Sequence, residues 1–385
     1  MQLYKNIFML VGFVLLNTRL LAVKTDSLKV GKLPKHYFKT SFNLDFYSTG
    51  KRNLNEENFY SKKLKNYQVS QFAFGFNTPL FTKDFYKKDS TQISNFHLLL
   101  AGSYVSLTPR FEGISNHRLV KTTVGVRAIY NTGKRSIFYA EFAPFVTKDN
   151  GYRYTRQSRF ATTLLYDCVV NNYFSFRVGY TRSFILGNRY HLLYLGIRVG
   201  KLDGINFSVQ FPRSITFNVP IGRYVKTSLY TKPLGGVYTF ANTDTLYYLS
   251  NDKKINFGRY EFLGGLRVDV LPSKVFNFYL SAGFTTQNYI GFYSETFNRG
   301  NKGGYNSFYK EKIDNSVYVN FGLVFKFGKV KSIYNNYNLY EMQDLNNKDA
   351  DNINRGNSQI PARERKVRNV KPDEVQDLID VSDLY

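Results

Sequence analysis

The sequence predicts an all-β fold: a transmembrane antiparallel β-barrel of about 14 strands, with 12 as the fallback, carrying a disordered C-terminal tail. Three observations predict it. Apolar residues recur with period two through most of the chain, and few windows fit an amphipathic helix. The composition is rich in side chains that suit a pleated, half-lipidic surface: 17% aromatic, with 32 Tyr and 35 Phe but no Trp. The chain also opens on a segment with the layout of an export signal. Mean hydropathy is only −0.35, and no later apolar run is long enough for a helical span. A mature chain that crosses a bilayer must therefore cross it with strands, whose backbone groups are all paired only when the sheet closes.

Residues 1–22 are expected to be a cleaved signal peptide. Lys5 lies in a short n-region, the apolar run extends from Ile7 to Leu16, and Ala22 offers a small residue for cleavage. Residues 23–328 are then the barrel. Its first strand is "YFKTSFNLDFY", with Phe38, Phe42, Leu44 and Phe46 on one face and Lys39, Ser41, Asn43 and Asp45 on the other. "QFAFGFN", "FHLLLAGSYVSL" and "VKTTVGVRAIY" follow; the last sets Val120, Val124 and Val126 against Lys121, Thr123 and Arg127. "IFYAEFAPFV", "FATTLLYDC", "YFSFRVGYTRSF" and "YHLLYLGIRVG" continue the series. "INFSVQF" and "SITFNVP" are short and reverse at Pro212 and Arg213. "YVKTSLYTKPLGGVYTF", "RYEFLGGLRVDV" and "VFNFYLSAGFTTQNY" lead to the closing strand "NSVYVNFGLVFKFGK". There Val317, Val319, Phe321, Leu323, Phe325 and Phe327 face lipid, and Tyr318, Asn320, Gly322, Val324 and Lys326 face the lumen.

Connection lengths alternate. Long ones fall at 48–66, 108–118, 148–156, 242–256 and 291–313, and tight ones at 131–135, 169–173, 201–204, 220–223 and 271–274. In an outer-membrane barrel the short turns and both termini face the periplasm, which places the long loops outside. A soluble sandwich or propeller also alternates, but its outward face is usually charged. Here the mixed face carries Gly, Ser, Thr, Asn and Tyr with sparse charges, which suits a crowded lumen.

The stretch "YFSFRVGYTRSFILGNRYHLLYLGIRVGKLDGINFSVQFPRSITFNVP", with "YEFLGGLRVDVLPSKVFNFYLSAGFT", resembles an uncharacterised family of outer-membrane β-barrels from Bacteroidota. The resemblance covers roughly residues 30–328 and rests on strand order, the "YLGIR" segment and proline-marked turns. It implies a barrel in the outer membrane, and neither a substrate nor catalytic residues.

Charge then bears on function. The chain has 53 Lys and Arg against 28 Asp and Glu, a formal net charge of +25. The tail is nearly neutral, so the excess lies in the barrel region. "GKRN" at 50–53 and "SKKLK" at 61–65 fall on the longest outer loop, where the phosphates of lipopolysaccharide are the expected partner. Alternation turns Lys39, Lys121, Arg127, Arg177, Arg198, Lys226, Arg259, Arg267 and Lys326 inward, together with Asp45, Glu141, Asp167, Glu261 and Asp269. This set either favours anionic solutes or pairs internally across neighbouring strands. Arg259, Glu261, Arg267 and Asp269 share a face and are placed to neutralise one another.

No catalytic, metal or cofactor set is expected. His36, His97, His117 and His191 lack metal-ligand spacing. No nucleophile elbow or phosphate loop occurs. The Ser115 and His117 of "GISNH" read as loop residues, and the lone Cys168 as a packed side chain. No nucleic-acid motif appears. Residues 329–385 are Asn- and Asp-rich and read as a disordered periplasmic tail. Its end, 372–385, starts at Pro372 and puts Val375, Leu378 and Ile379 on one helical face, as a docking segment for a periplasmic protein would. The expected function is a porin-like channel for small solutes. The alternative is a structural or accessory barrel of an envelope complex that recruits its partner through the tail.

Overall fold

The structure, a computed structural model, describes residues 38–327 apart from breaks at 55–65, 87–91, 113–115, 133–135, 172, 188, 202–203, 222–223, 243–252, 274 and 294–306. The expected signal peptide and the tail with its docking residues lie outside the described residues.

Sixteen strands follow one another in one antiparallel sheet. They are β1 (Thr40–Thr49), β2 (Arg52–Asn53), β3 (Asn66–Tyr86), β4 (Gln92–Phe111), β5 (Leu119–Asn131), β6 (Ser136–Asp149), β7 (Gln157–Asn171) and β8 (Phe174–Ser183). Then come β9 (Tyr190–Gly200), β10 (Asn206–Phe211), β11 (Ser214–Ile221), β12 (Val225–Ala241), β13 (Lys254–Val270), β14 (Phe276–Tyr293), β15 (Ser307–Ile313) and β16 (Ser316–Phe327). From β2 to β15 each strand pairs with the next, β14 also pairs with β16, and β1 pairs with both β3 and β16, so the sheet closes. β2 continues β1 along β3, and β15 continues β16 along β14. The sixteen segments therefore make fourteen staves. Pro212 and Arg213 do reverse the chain between β10 and β11.

The closing strand alternates as its sequence requires. Val317, Val319, Phe321 and Phe327 are exposed on the outer face, whereas Tyr318 and Asn320 are buried inward. The same outward exposure recurs around the wall, through Phe46, Val126, Phe142, Phe176, Leu195, Phe217, Leu229, Leu266 and Phe284. A soluble protein rarely leaves so continuous an apolar surface uncovered.

Two features depart from the sequence reading. Several strands run beyond their alternating stretch: β3 spans Asn66–Tyr86 where "QFAFGFN" marks only its middle, and Ser307–Ile313 is strand rather than loop. The wall is also uneven. β10 and β11 have 6 and 8 residues, against 17 in each of β12 and β13. β11 pairs with β12 only as far as Ile215 opposite Thr231, so the upper part of β12 has no β11 beside it.

That upper part leaves the wall. From Gly236 to Asn242, and again from Ile255 to Arg259, every residue is buried, so both faces of the β12–β13 hairpin are covered. One face carries Tyr238, Phe240, Ile255 and Phe257, which pack with Tyr67, Leu107 and Phe111 of β3 and β4 and with Ile290 and Phe292 of β14. The other carries Val237, which packs with Phe145 of β6 and with Phe184, just after β8. The hairpin thus curls into the barrel at the long-loop end as an arm: β12 has no β11 beside it there, while β13 stays paired with β14 from Asn256 to Tyr260. Alternation alone could not reveal it, because an arm covered on both faces and a wall strand share the same period. The close approach is made possible by glycine: a Cβ on Gly235 would strike the carbonyl oxygens of Ile185 and Arg259, and one on Gly258 the carbonyl of Gly187.

Candidate functional site: the barrel interior

Four of the five inward acids on the barrel strands, Glu141, Asp167, Glu261 and Asp269, pair with an arginine. Arg127 Nε donates to Glu141 Oε1 at 2.8 Å, and Tyr139 donates to the second carboxylate oxygen, also at 2.8 Å. Arg177 on β8 grips Asp167 on β7 with two hydrogen bonds and donates to Gln210 of β10 at 3.1 Å. Arg267 grips Asp269 at 2.8 and 2.9 Å and lies over the Tyr279 ring, whose hydroxyl donates to Asp45. The first two pairs follow from register, and Arg267 with Asp269 from their spacing along β13. Arg127 is directly opposite Glu141, and Arg177 directly opposite Asp167. Cross-strand neighbours on one face lie about 5 Å apart at Cβ, within reach of Arg and a carboxylate.

The arm is fixed by a charged cluster. Glu261 accepts from Arg259 at 2.7 and 3.0 Å, from Arg52 at 2.6 Å and from the Tyr47 hydroxyl at 2.6 Å. Arg52 corrects the sequence reading. It belongs to the "GKRN" run assigned to the outer loop and lipopolysaccharide, yet only 2% of it is exposed. It sits in β2, where the sheet turns it inward toward the acid; Lys51 beside it remains outside.

The opposite face of the arm is held by polar contacts to β6 and β7. Thr239 and Thr147 share a hydrogen bond of 2.8 Å, Arg159 donates to Asn256 and Thr147, and the Ala241 amide donates to Asp149 at 3.2 Å. His117 pairs with the same Asp149 and stacks on Phe240 with ring centroids 3.9 Å apart. This His–Asp pair is therefore a clamp on the arm. Ser115 lies outside the described residues.

Lys39 precedes β1, and Lys326 is paired opposite Ser41; both lie at the short-turn end. Arg198 and Lys226 line a cavity of about 160 Å³ with Arg177, Arg213, Ser208 and Asn218. A second cavity, about 130 Å³, lies under the arm between Lys121, Phe145, Leu165, Phe184, Pro212 and Leu234. Asp167, Arg177 and Arg213 border both, so the Arg177–Asp167 pair divides the two spaces. Arg213 and Lys232, which line the second cavity, were not among the expected inward residues; one sits on the β10–β11 turn and the other where β12 leaves the wall. Among the described residues there is no group of three or more His, Cys, Asp and Glu placed to hold a metal ion.

No protein-family model matches this chain, and no curated protein matches it. Among solved structures, it is similar to the COG4313 outer membrane channel from Pseudomonas putida F1, at 7% identity and a TM-score of 0.37, covering 78% of this chain and 100% of that one. It is also similar to outer membrane phospholipase A from Escherichia coli, at 12% identity and a TM-score of 0.28, covering 78% and 94%. The β domain of the Bordetella autotransporter BrkA aligns at 10% identity and a TM-score of 0.28, covering 75% and 100%. Scores of this size add nothing to the topology described above, and the resemblance to a Bacteroidota barrel family rests on the sequence alone.

Proposed function

We propose that this protein is an outer-membrane β-barrel that conducts small solutes and is held shut by the arm. One observation carries the reading: a closed wall, apolar outside, encloses two adjoining cavities that share a single ion pair. A closed sheet satisfies its backbone within lipid, and the apolar outer face supports a bilayer as its surroundings. Exposed basic residues at the long-loop end, among them Arg110, Lys148, Arg153 and Lys253, support contact with the phosphates of lipopolysaccharide.

In the arrangement described, solute passes the outer half only when the arm leaves the β6 wall. Among the described residues, that face holds the arm through Val237 against Phe145 and Phe184 and through side-chain hydrogen bonds, with no backbone ladder to β6, which makes it the one to part. The experiment is single-channel recording in a planar bilayer. Brief openings from a mostly closed barrel support the conduit; a barrel that stays silent at all voltages rejects it.

A second reading is favoured by the cluster of Tyr238, Phe240, Phe257 and Phe292, which packs the outer end like the core of a globular protein. On that reading the barrel is permanently plugged and serves as an accessory of an envelope complex. The periplasmic tail, with Val375, Leu378 and Ile379, would then recruit the partner. Silence in the bilayer together with loss of a co-purifying periplasmic protein in Leu378→Asp/Ile379→Asp would favour it.

A further inference from the structure

We infer that the cavity beneath the arm binds a small organic anion with an apolar body, the size of a substituted benzoate. The inference rests on the conduit reading in taking this cavity as a station on the solute's path. Three observations converge on it.

The first is volume. At about 130 Å³ the space is close to the roughly 150 Å³ of an engineered apolar cavity in another protein that holds benzene. One six-membered ring fits, and a long acyl chain does not. The second is the wall. Phe145 and Phe184 meet edge to face, with centroids 5.2 Å apart, and Leu165, Ile185 and Leu234 complete an apolar lining.

The third is charge. Lys121 reaches into this lining from β5, its ammonium 4.8 Å from the centre of the Phe145 ring. Glu141 and Asp167, the acids on the facing strands, are already paired. Both oxygens of Glu141 are taken, one by Arg127 and the other by Tyr139, and Asp167 is gripped by Arg177. Among the described residues no carboxylate lies within ion-pair distance of the Lys121 ammonium. Arg213 and Lys232 on the same lining raise the positive potential further. A cation placed among apolar groups is costly without an opposite charge. A carboxylate entering with its ring against Phe145 and Phe184 supplies that charge, and a neutral ring or an inorganic anion satisfies only half of the site.

The test uses the full-length barrel in lipid nanodiscs with three probes: 4-fluorobenzoate, fluorobenzene and inorganic phosphate. Fluorine NMR follows the first two, and calorimetry follows the first and third. The expected result is saturable binding of 4-fluorobenzoate alone. It should weaken at least about tenfold in Lys121→Met, recover in part in Lys121→Arg, and vanish in Ala161→Phe, which fills the cavity from β7. Absence of 4-fluorobenzoate binding to the folded wild type overturns the inference, whatever the variants do. So does binding that Lys121→Met and Ala161→Phe leave unchanged, or fluorobenzene binding of equal strength. A barrel that conducts but does not bind 4-fluorobenzoate refutes the anion site and leaves the conduit standing. One that binds it but never conducts refutes the conduit and keeps the site.

Discussion

Replacing Glu261 by Gln should destabilise the barrel far more than any exchange of one surface carboxylate for its amide. The Glu261 side chain is fully buried, and so is that of Arg52; Arg259 is 2% exposed. The carboxylate accepts four hydrogen bonds between 2.6 and 3.0 Å, three of them from guanidinium groups. An amide of the same shape removes the negative charge and leaves two buried cations facing each other. Breaking a buried pair by removing one partner typically costs about 3–5 kcal/mol, and the second arginine places the expected loss in that range. The internal control is Glu112→Gln. Its partner Lys51 lies 3.5 Å away with the two side chains 67% and 52% exposed, so the loss should be about 0–1 kcal/mol. Adding Arg52→Leu to Glu261→Gln should restore part of the loss, because one uncompensated charge is gone. Urea titration of the folded barrel in micelles, read by its electrophoretic mobility without heating, measures all of these. Equal shifts for Glu261→Gln and Glu112→Gln would refute the reasoning, as would further destabilisation by Arg52→Leu.

Three further outcomes follow from the placement of side chains. Phe321→Arg should impair assembly by about 2–4 kcal/mol relative to Asn320→Arg, because a charge on the outer face meets lipid; Phe321 is 37% exposed outward, and Asn320 is 7% exposed and adjoins Asp45. Equal refolding yields into liposomes would count against the bilayer. Gly258→Ala should cost about 1–3 kcal/mol, since its Cβ meets the backbone of Gly187, whereas Gly264→Ala, whose Cβ meets only a Thr231 methyl at 3.9 Å, should be nearly neutral in the same urea titration. In a Cys168→Ser background, Asn150→Cys at the long-loop end should react with a membrane-impermeant maleimide on intact cells and Ser273→Cys at the opposite end should not; the reverse pattern would invert the topology.

The wall of this barrel was legible because each stave repeats one simple constraint. A residue at an odd position of β16 meets the outside and one at an even position the lumen, so Val319 and Asn320 declare their surroundings without reference to any other strand. The short β10 and β11 were legible for a similar reason, since Pro212 interrupts the alternation between two recognisable runs. Pairing of the inward charges was half legible: Arg259 with Glu261 and Arg267 with Asp269 lie two residues apart, but Arg127 with Glu141 depends on strand register. The arm was not legible. "GGVYTF" has the same period and composition as a wall strand, and its burial on both faces follows from the early end of β11 and from the backbone of 184–187 lying against Gly235 and Gly258. Arg52 was misplaced for the same cause, because its partner Glu261 is more than two hundred residues away in sequence. The double glycines, which in a strand often mark close backbone approach, were the one signal that could have pointed to the arm.

An arm that closes a conduit can be locked in place by one crosslink. Thr147 on β6 and Thr239 on the arm have their hydroxyl oxygens 2.8 Å apart. In a Cys168→Ser background, the pair Thr147→Cys/Thr239→Cys brings two thiols together to join the arm to the wall. The measurement is planar-bilayer conductance of this variant, first oxidised and then reduced in the same membrane. The barrel should be silent when oxidised and should open on reduction. Currents that persist through the oxidised state, or no current in either state, would contradict it.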